Sequence, residues 1–387
     1  MSHIMPTYAR QPISFVRGEG AYLYTADGTA YLDALTGIAV CGLGHCHPAI
    51  TAAITEQAGQ IVHTSNLYTI DWQEKAADVL CAAAGMEQVF FANSGAEANE
   101  CALKLARLYA HNQGKARPKV VVMENSFHGR TLLSVSATAN PKARAGFYTL
   151  DDDFVRVPFG DADAVAALSG DADICAVLVE PIQGEGGLHT PPDDYLEKLA
   201  KICNDNGWLL MLDEVQTGNG RTGKYFAYQY SSIKPDVLTT AKGLGNGFPI
   251  GACMVSAKAV GLFGAGSHGS TYGGTALGSR VVCAVYEQLT ADVMNNTTTQ
   301  GDKIRQAILD KFADKGVSAR GRGMMIGFAM PDGVDLSKAV DIARDQHHLI
   351  INVTGGNVIR LLPALNLSDD DAMLLISKLC DLFNDLL

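Results

Sequence analysis

Charge is scarce in this chain. Asp, Glu, Lys and Arg make up 18% of its 387 residues, against roughly a quarter in an average soluble domain. The shortfall predicts that part of the surface is covered by a partner subunit. The scarcer sign is positive: 30 Lys and Arg stand against 41 Asp and Glu, a net charge of −11. A nucleic-acid partner needs a basic face, so none is expected. No apolar run approaches about 20 residues, so no membrane-spanning helix is expected. The opening "MSHIMPTYARQPISFVRGEG" lacks a basic n-region, an apolar h-region and a cleavage pattern, so no secretory leader is expected. Nine cysteines are scattered without a C-x-x-C pair, the pattern of reduced thiols in a cytoplasmic protein. One cluster, "CGLGHCHP" with Cys41, His45, Cys46 and His47, is spaced too tightly to share one tetrahedral ion, so it reads as a turn flanked by Gly and Pro and no metal is expected. Internal repeats are absent, which excludes a solenoid.

What the chain does have is a series of short, continuous apolar runs: "QVFFA" (88–92), "KVVVM" (119–123), "ICAVLVE" (174–180), "WLLMLDE" (208–214), "DVLTTAK" (236–242) and "GACMV" (251–255). Continuity without polar alternation marks strands buried on both faces. Amphipathic stretches lie between them. "GAEANECALKLARLYAHNQG" puts Ala98, Cys101, Leu105 and Leu108 on one face, and "PPDDYLEKLAKICNDNG" opens on prolines and acids and closes at Gly207, as a helix should. The fold class is α/β, a mainly parallel sheet flanked by helices over residues 51–275. After residue 276 long helical patterns flank short strands, which predicts a smaller α+β domain over 276–387. Residues 1–50 are expected to join it, with "AYLYTADGTAYLD" as a hairpin around Asp27-Gly28.

In such a sheet, ligands bind beyond the carboxyl ends of the strands. Each apolar run here ends on polar groups: Glu124, Glu180, Asp213-Glu214 and Lys242. Taken singly, each could be a strand-end salt bridge or a helix cap. Lys242 stands alone among apolar neighbours in "TTAKGLGNGFPIGAC". Desolvation would push its amine pKa down and make it a nucleophile for an aldehyde. Pyridoxal phosphate is the natural aldehyde, and it demands a lysine, a carboxylate for its ring nitrogen and a phosphate cup. Asp213, 29 residues before Lys242, is the candidate carboxylate, with a helix N-cap as its other reading. "ANSGAEANE" is the candidate cup: Ser94, Gly95 and Ala96 follow a strand and open a helix, where free N–H groups meet a dianion. This segment is neither G-x-G-x-x-G nor a P-loop. "NSFHGRT" adds Phe127, a face for the ring, and Arg130, a fork for a carboxylate. His128, in a tight loop, reads as structural rather than catalytic.

The ordered set "PISFVRGEG", "LGHCHP", "NSGAEANE", "NSFHGRT", "VEPIQGEGG", "LDEVQTGNGRTG", "TTAKGLGNGFPIGA", "HGSTYGG" and "NVIRLLP" resembles the class III (ω-amino acid) pyridoxal-phosphate aminotransferases over nearly the whole chain. The resemblance implies the fold-type I architecture, with Lys242 carrying the cofactor and Asp213 pairing with its ring nitrogen. Val215 and Gln216 of "DEVQ" would line the ring, with Gln216 at its hydroxyl. Ser94, Gly95 and Ala96 would hold the phosphate and Phe127 would stack. Thr271 would reach the phosphate of a neighbouring subunit, which implies a homodimer. Ser270 would lie near the substrate. Arg130 would hold the carboxylate of N2-acetylornithine, and Arg360 the α-carboxylate of 2-oxoglutarate or glutamate. Glu185 would neutralise Arg360 while the amine donor is bound. For Arg360, a surface strand arginine is the competing reading.

Four positions depart from the pattern. Thr275-Ala276 stands where Asn-Pro is usual, and Ala96 where Thr is common. Ile38 stands where ornithine δ-aminotransferases carry Tyr, which favours an N-acylated donor. N-succinyl-diaminopimelate, succinylornithine and 4-aminobutyrate remain alternative donors.

Overall fold

The structure is a computed structural model and describes residues 3–387; the first two residues of the 1–50 segment lie outside it. Its centre is a seven-stranded sheet. In chain order the strands are β1 (Gln88–Ala92), β2 (Lys119–Met123), β3 (Phe154–Val157), β4 (Ile174–Val179), β5 (Leu209–Asp213), β6 (Val237–Thr240) and β7 (Gly251–Val255). Across the sheet they run β1-β7-β6-β5-β4-β2-β3. Strands β2 to β6 pair in parallel, and β7 is antiparallel to both neighbours, with Gly251 opposite Ala92 and Ala252 opposite Thr240.

The continuous apolar runs become strands because both faces of this sheet are covered. Val120 and Val122 join one buried cluster, together with Leu103, Leu105 and Ala106 of the helix Gly95–Asn112. Val121 and Met123 join the other, with Leu196 and Leu199 of the helix Tyr195–Asn206. Side chains alternate across a strand, so an apolar residue is needed at every position, not at every second one. Each fully buried Val or Leu contributes about 1.5–3 kcal/mol. Leu108, expected on the inner face of its helix, is only half-buried.

Strand β3 has no counterpart among the apolar runs. It lies at the sheet edge, where one flank is unpaired, and half-buried Arg156 interrupts its pattern. The helix Ala291–Phe312 starts ten residues before the periodic stretch "GDKIRQAILDKFADKG" that announces it. Thr290 caps it, and its polar first half is carried by burial of Thr297 and Gln300. The hairpin at Asp27-Gly28 forms as expected between Tyr22–Tyr24 and Ala30–Asp33, and the latter strand also pairs with Leu349–Ile350. A third sheet brings Ser318–Arg322, Met325–Ala329, Val358–Leu361 and Asn352–Thr354 together. His45 of the Gly-flanked turn bonds Asp33 at 2.7 Å. Among the described residues, no helix is long and apolar enough to cross a membrane.

Because β7 is antiparallel, the turn from Lys242 into Gly251 lies at the same sheet edge as the ends of β1, β2, β4 and β5. That turn is tight: a Cβ on Gly245 would sit 2.0 Å from the Phe248 carbonyl oxygen. The edge is further tied by Glu214, fully buried, which accepts from Thr217 Oγ1 (2.6 Å) and from the N–H groups of Ala227 and Tyr228 (both 2.8 Å). Burial, opposed by these hydrogen bonds and aided by the Asp213 carboxylate, raises its carboxyl to about 7. The folded state therefore holds this proton more tightly than the unfolded chain. The resulting stabilisation is fullest in acid and is lost as pH rises through about 7. Glu214→Gln has no such titration. The stability advantage of the parent over this variant should narrow between about pH 5 and about pH 8, by on the order of 2 kcal/mol. Denaturation midpoints of the two proteins across that range check it, and a gap independent of pH contradicts it.

Candidate active site

A cavity of about 350 Å³ opens at this edge, and the strand-end loops line it. Of the residues singled out in the sequence, Ser94, Gly95, Ala96, Phe127, Arg130, Glu185, Asp213, Val215, Gln216 and Lys242 all line it. Arg360, fully buried, stands directly behind Glu185. Ser270 and Thr271 do not line it. Ser270 is half-buried, its Oγ bonded to Asn93 Nδ2 (3.1 Å) and to the Gly273 N–H (2.9 Å), and Thr271 is exposed.

Lys242 begins the turn after β6 with φ at +48°, a conformation uncommon outside glycine and typical of strained functional positions. The surface it retains faces the cavity. Burial disfavours its ammonium most. The Glu185 carboxylate opposes this, Arg360 reinforces it, and Asp213 and Glu180 oppose it, leaving the amine below its ordinary range.

Asp213 ends β5 and is oriented by three donors. Oδ2 accepts from Asn99 Nδ2 (2.7 Å) and lies 2.8 Å from His128 Nδ1; Oδ1 accepts from the Val215 N–H (3.0 Å). Thr239 Oγ1 donates to Asn99 Oδ1 at 2.7 Å and fixes that amide in turn. The sequence reading of His128 as structural is therefore incomplete: it touches the key carboxylate, and its Nε2 is buried without a protein partner. Asn99 was missed because it sits mid-helix. The signal that could have found it is a polar residue on the apolar face, one turn past Gly95. Glu180, one residue past β4, is buried and accepts from the Phe127 and Gly184 N–H groups (3.0 Å each). Burial raises its carboxyl, His128 and the two N–H groups pull it back and Asp213 pushes it up, and the net shift is upward.

The cup is the N-terminus of the helix Gly95–Asn112. Ser94 caps it by accepting from the Glu97 N–H (3.2 Å), which leaves the N–H groups of Gly95 and Ala96 without an acceptor in the helix. A Cβ on Gly95 would lie 2.6 Å from Val215 Cγ1, so only glycine lets Val215 form the adjoining wall. Arg130, exposed, holds its guanidinium 5.4 Å from the centre of the Phe127 ring. The chain beyond it is pinned by Glu100, which accepts from the Leu133 and Ser134 N–H groups (3.0 and 3.1 Å).

On the opposite wall Arg360 and Glu185 form a closed ion pair. Nη1 lies 2.6 Å from Oε1 and Nη2 3.3 Å from Oε2; Nη1 also donates to the Gly184 carbonyl and Nε to Asn352 Oδ1, both at 3.0 Å. Burial would raise the Glu185 carboxyl, but the Arg360 guanidinium outweighs it and the net shift is downward. Gln216 bridges the pair, donating to Glu185 Oε1 and accepting from Arg360 Nη1, both at 3.2 Å. Val40 reaches the cavity, and Ile38 packs away from it against the small cluster of Ile182, Leu188 and Met325.

The wall thus offers unpartnered N–H groups at a helix start, an oriented carboxylate and a desolvated amine. These fit the phosphate, ring nitrogen and aldehyde of pyridoxal phosphate. The family model described as Aminotransferase class-III matches residues 4–383. The acetylornithine aminotransferase of Nitrosomonas europaea is 49% identical over 383 residues, 98% of this chain and 96% of that protein. The solved N-acetylornithine aminotransferase of Stenotrophomonas maltophilia is similar with a TM-score of 0.85 and 31% identity, covering 98% of this chain and 97% of that one. An ornithine aminotransferase of Toxoplasma gondii, crystallised with oxidised glutathione and showing partial occupancy of PLP at its active site, gives 0.94 and 29%, covering 99% and 92%. The cofactor is pyridoxal 5′-phosphate.

Asn99→Leu removes one of the three donors on Asp213. It should weaken cofactor retention about tenfold, the worth of a hydrogen bond to a charged group. Fluorescence titration of the apo protein measures it. Unchanged affinity would mean that the carboxylate is held well enough by His128 and the backbone alone.

Proposed function

Because the chain belongs to the class-III aminotransferase family, we propose that it moves the terminal amino group of N2-acetyl-L-ornithine to 2-oxoglutarate. The products are N-acetyl-L-glutamate 5-semialdehyde and L-glutamate, a step of arginine biosynthesis in the cytoplasm. The name of the Nitrosomonas relative supports this donor. The observation that carries the reading is the closed Arg360–Glu185 pair on the cavity wall.

Bound pyridoxal phosphate supplies the electron sink that makes the amine-bearing carbon acidic. Asp213 would hold a proton on the ring nitrogen, and Gly95 and Ala96 would offer N–H groups to the phosphate. Lys242 Nζ, already below its ordinary pKa, takes the proton from the substrate carbon and later returns one. Two substrates of opposite layout must share this cavity. The donor reacts far from its carboxylate, which Arg130 holds. The acceptor reacts at the carbon bearing its carboxylate, which Arg360 holds bidentately. While the donor is bound, Glu185 keeps Arg360 neutralised, so the donor's carboxylate is not drawn to the wrong end. When 2-oxoglutarate enters, its α-carboxylate takes Glu185's place.

The working unit is a homodimer in this reading. Leu67, Tyr68 and Tyr272 are exposed large apolar side chains. They lie on two segments tied by Asn66 Nδ2 to the Ser270 and Gly273 carbonyls (3.1 Å each), next to exposed Thr271. Such a patch suits a subunit interface. Residues 51–275 form the large domain, and 1–50 join 276–387 in the small one.

Two tests follow from the pair. In a donor panel with 2-oxoglutarate, glutamate should form fastest from acetylornithine, with ping-pong kinetics. Equal or faster use of 4-aminobutyrate or of a succinylated donor would move the assignment to that donor. Glu185→Gln should raise kcat/KM for α-amino donors relative to acetylornithine by about tenfold, the cost of one charge pair near 1.4 kcal/mol. An unmoved ratio would dismiss the mask.

A further inference from the structure

Glu180 stands between the two halves of the substrate site. Its Oε1 accepts from the Phe127 N–H and its Oε2 from the Gly184 N–H, both at 3.0 Å. The first loop runs on through Phe127 to Arg130. The second carries Glu185, and its Gly184 carbonyl also accepts from Arg360 (3.0 Å). Neither loop is free to yield at the clasp. A Cβ on Gly184 would lie 2.4 Å from Gln216 Oε1, and the His128 N–H is bonded to Thr138 Oγ1 at 2.9 Å. A further tie between these segments, Gln183 Nε2 to the Glu124 carbonyl (2.7 Å), lies one residue before Gly184 and three before Phe127. Glu180 is buried at the cavity wall.

We propose that the Glu180 carboxylate is a positioning residue that sets the span between Arg130 and the Arg360–Glu185 pair, and through it the length of amine donor the site accepts. The inference rests on the donor reading above, in which one end of the amine donor is held at Arg130. A carboxylate is the one side chain here that can accept from both N–H groups at once. An amide in its place accepts with one atom and turns a donor toward the other N–H, and an aspartate is one methylene too short to reach both. A small error in such a span costs productive binding, not the chemistry of a correctly bound donor.

The test uses the holoenzyme and its Glu180→Gln and Glu180→Asp variants, with hydrogen exchange read at the Phe127 and Gly184 amides. Kinetics follow N2-acetylornithine and its homologues one methylene shorter and one longer. Both variants should exchange faster at both amides, while Val177 and Leu210 in the sheet stay protected. KM for acetylornithine should rise roughly fivefold or more, and the preference over the two homologues, which a change at Lys242 alone would leave in place, should fall by a similar factor. Unchanged exchange at both amides overturns the clasp. Faster exchange with an unmoved length preference overturns its role in the span. If the parent enzyme does not use acetylornithine, the donor assignment fails, while the exchange measurement still decides the clasp. If one variant does not fold, the other carries the same comparison.

Discussion

The architecture turns on keeping one amine out of bulk water at the carboxyl edge of the sheet. A lysine ammonium taken out of water loses its hydration and must be compensated or neutral. Here burial wins over three nearby carboxylates, and Lys242 is left inclined to lose its proton. The fold supplies the conditions for this. β6 delivers the residue from a strand buried along its length, and the turn through Gly245 sends the chain straight back into β7. The positive φ at Lys242 is held by that turn and by Asn219, whose Nδ2 donates to Thr240 Oγ1 (2.8 Å) and to the Ala241 carbonyl (3.1 Å).

Around that amine the site solves a second electrostatic problem. Arg360 is fully buried, and an unpaired charge there would cost several kcal/mol. Glu185 pairs with it, Gln216 bridges both, and Asn352 and the Gly184 carbonyl take remaining N–H groups. In the proposed function, a substrate carboxylate opens this pair by making equivalent bonds. On that reading, the same interactions that make the arginine tolerable in the core would make it selective. Glu180 and Glu214 serve the surrounding loops differently, each offering its oxygens to backbone N–H groups that have no helix or strand partner.

Much of this was legible in the sequence, for physical reasons. Six of seven central strands announce themselves because a strand covered on both faces needs an apolar residue at every position. β3 does not, because at the edge Arg156 is tolerated. The strand Ser318–Arg322 hid in a polar stretch, and the start of the helix Ala291–Phe312 in a run of Asn and Thr that only tertiary burial makes helical. In the site, residues that end strands were visible because polarity there is abrupt: Asp213 and Lys242 follow apolar runs and both line the cavity. Asn99 was not, since a polar residue within an amphipathic helix is ordinary until its partner is known. His128 was discounted as a tight-loop histidine, and its partner, Asp213, lies 85 residues away in the chain. Glu180 was noticed as a strand end, but its partners are backbone groups, which no side-chain pattern reveals.

The central claim is that Lys242 is the amine that takes up the cofactor's aldehyde. Reconstituting the protein with pyridoxal phosphate, reducing with borohydride and mapping the peptides tests it most directly. The account predicts a single pyridoxyl mass addition, on Lys242, absent from Lys242→Ala. An adduct on another lysine, or none at all in protein that has bound the cofactor, would contradict it.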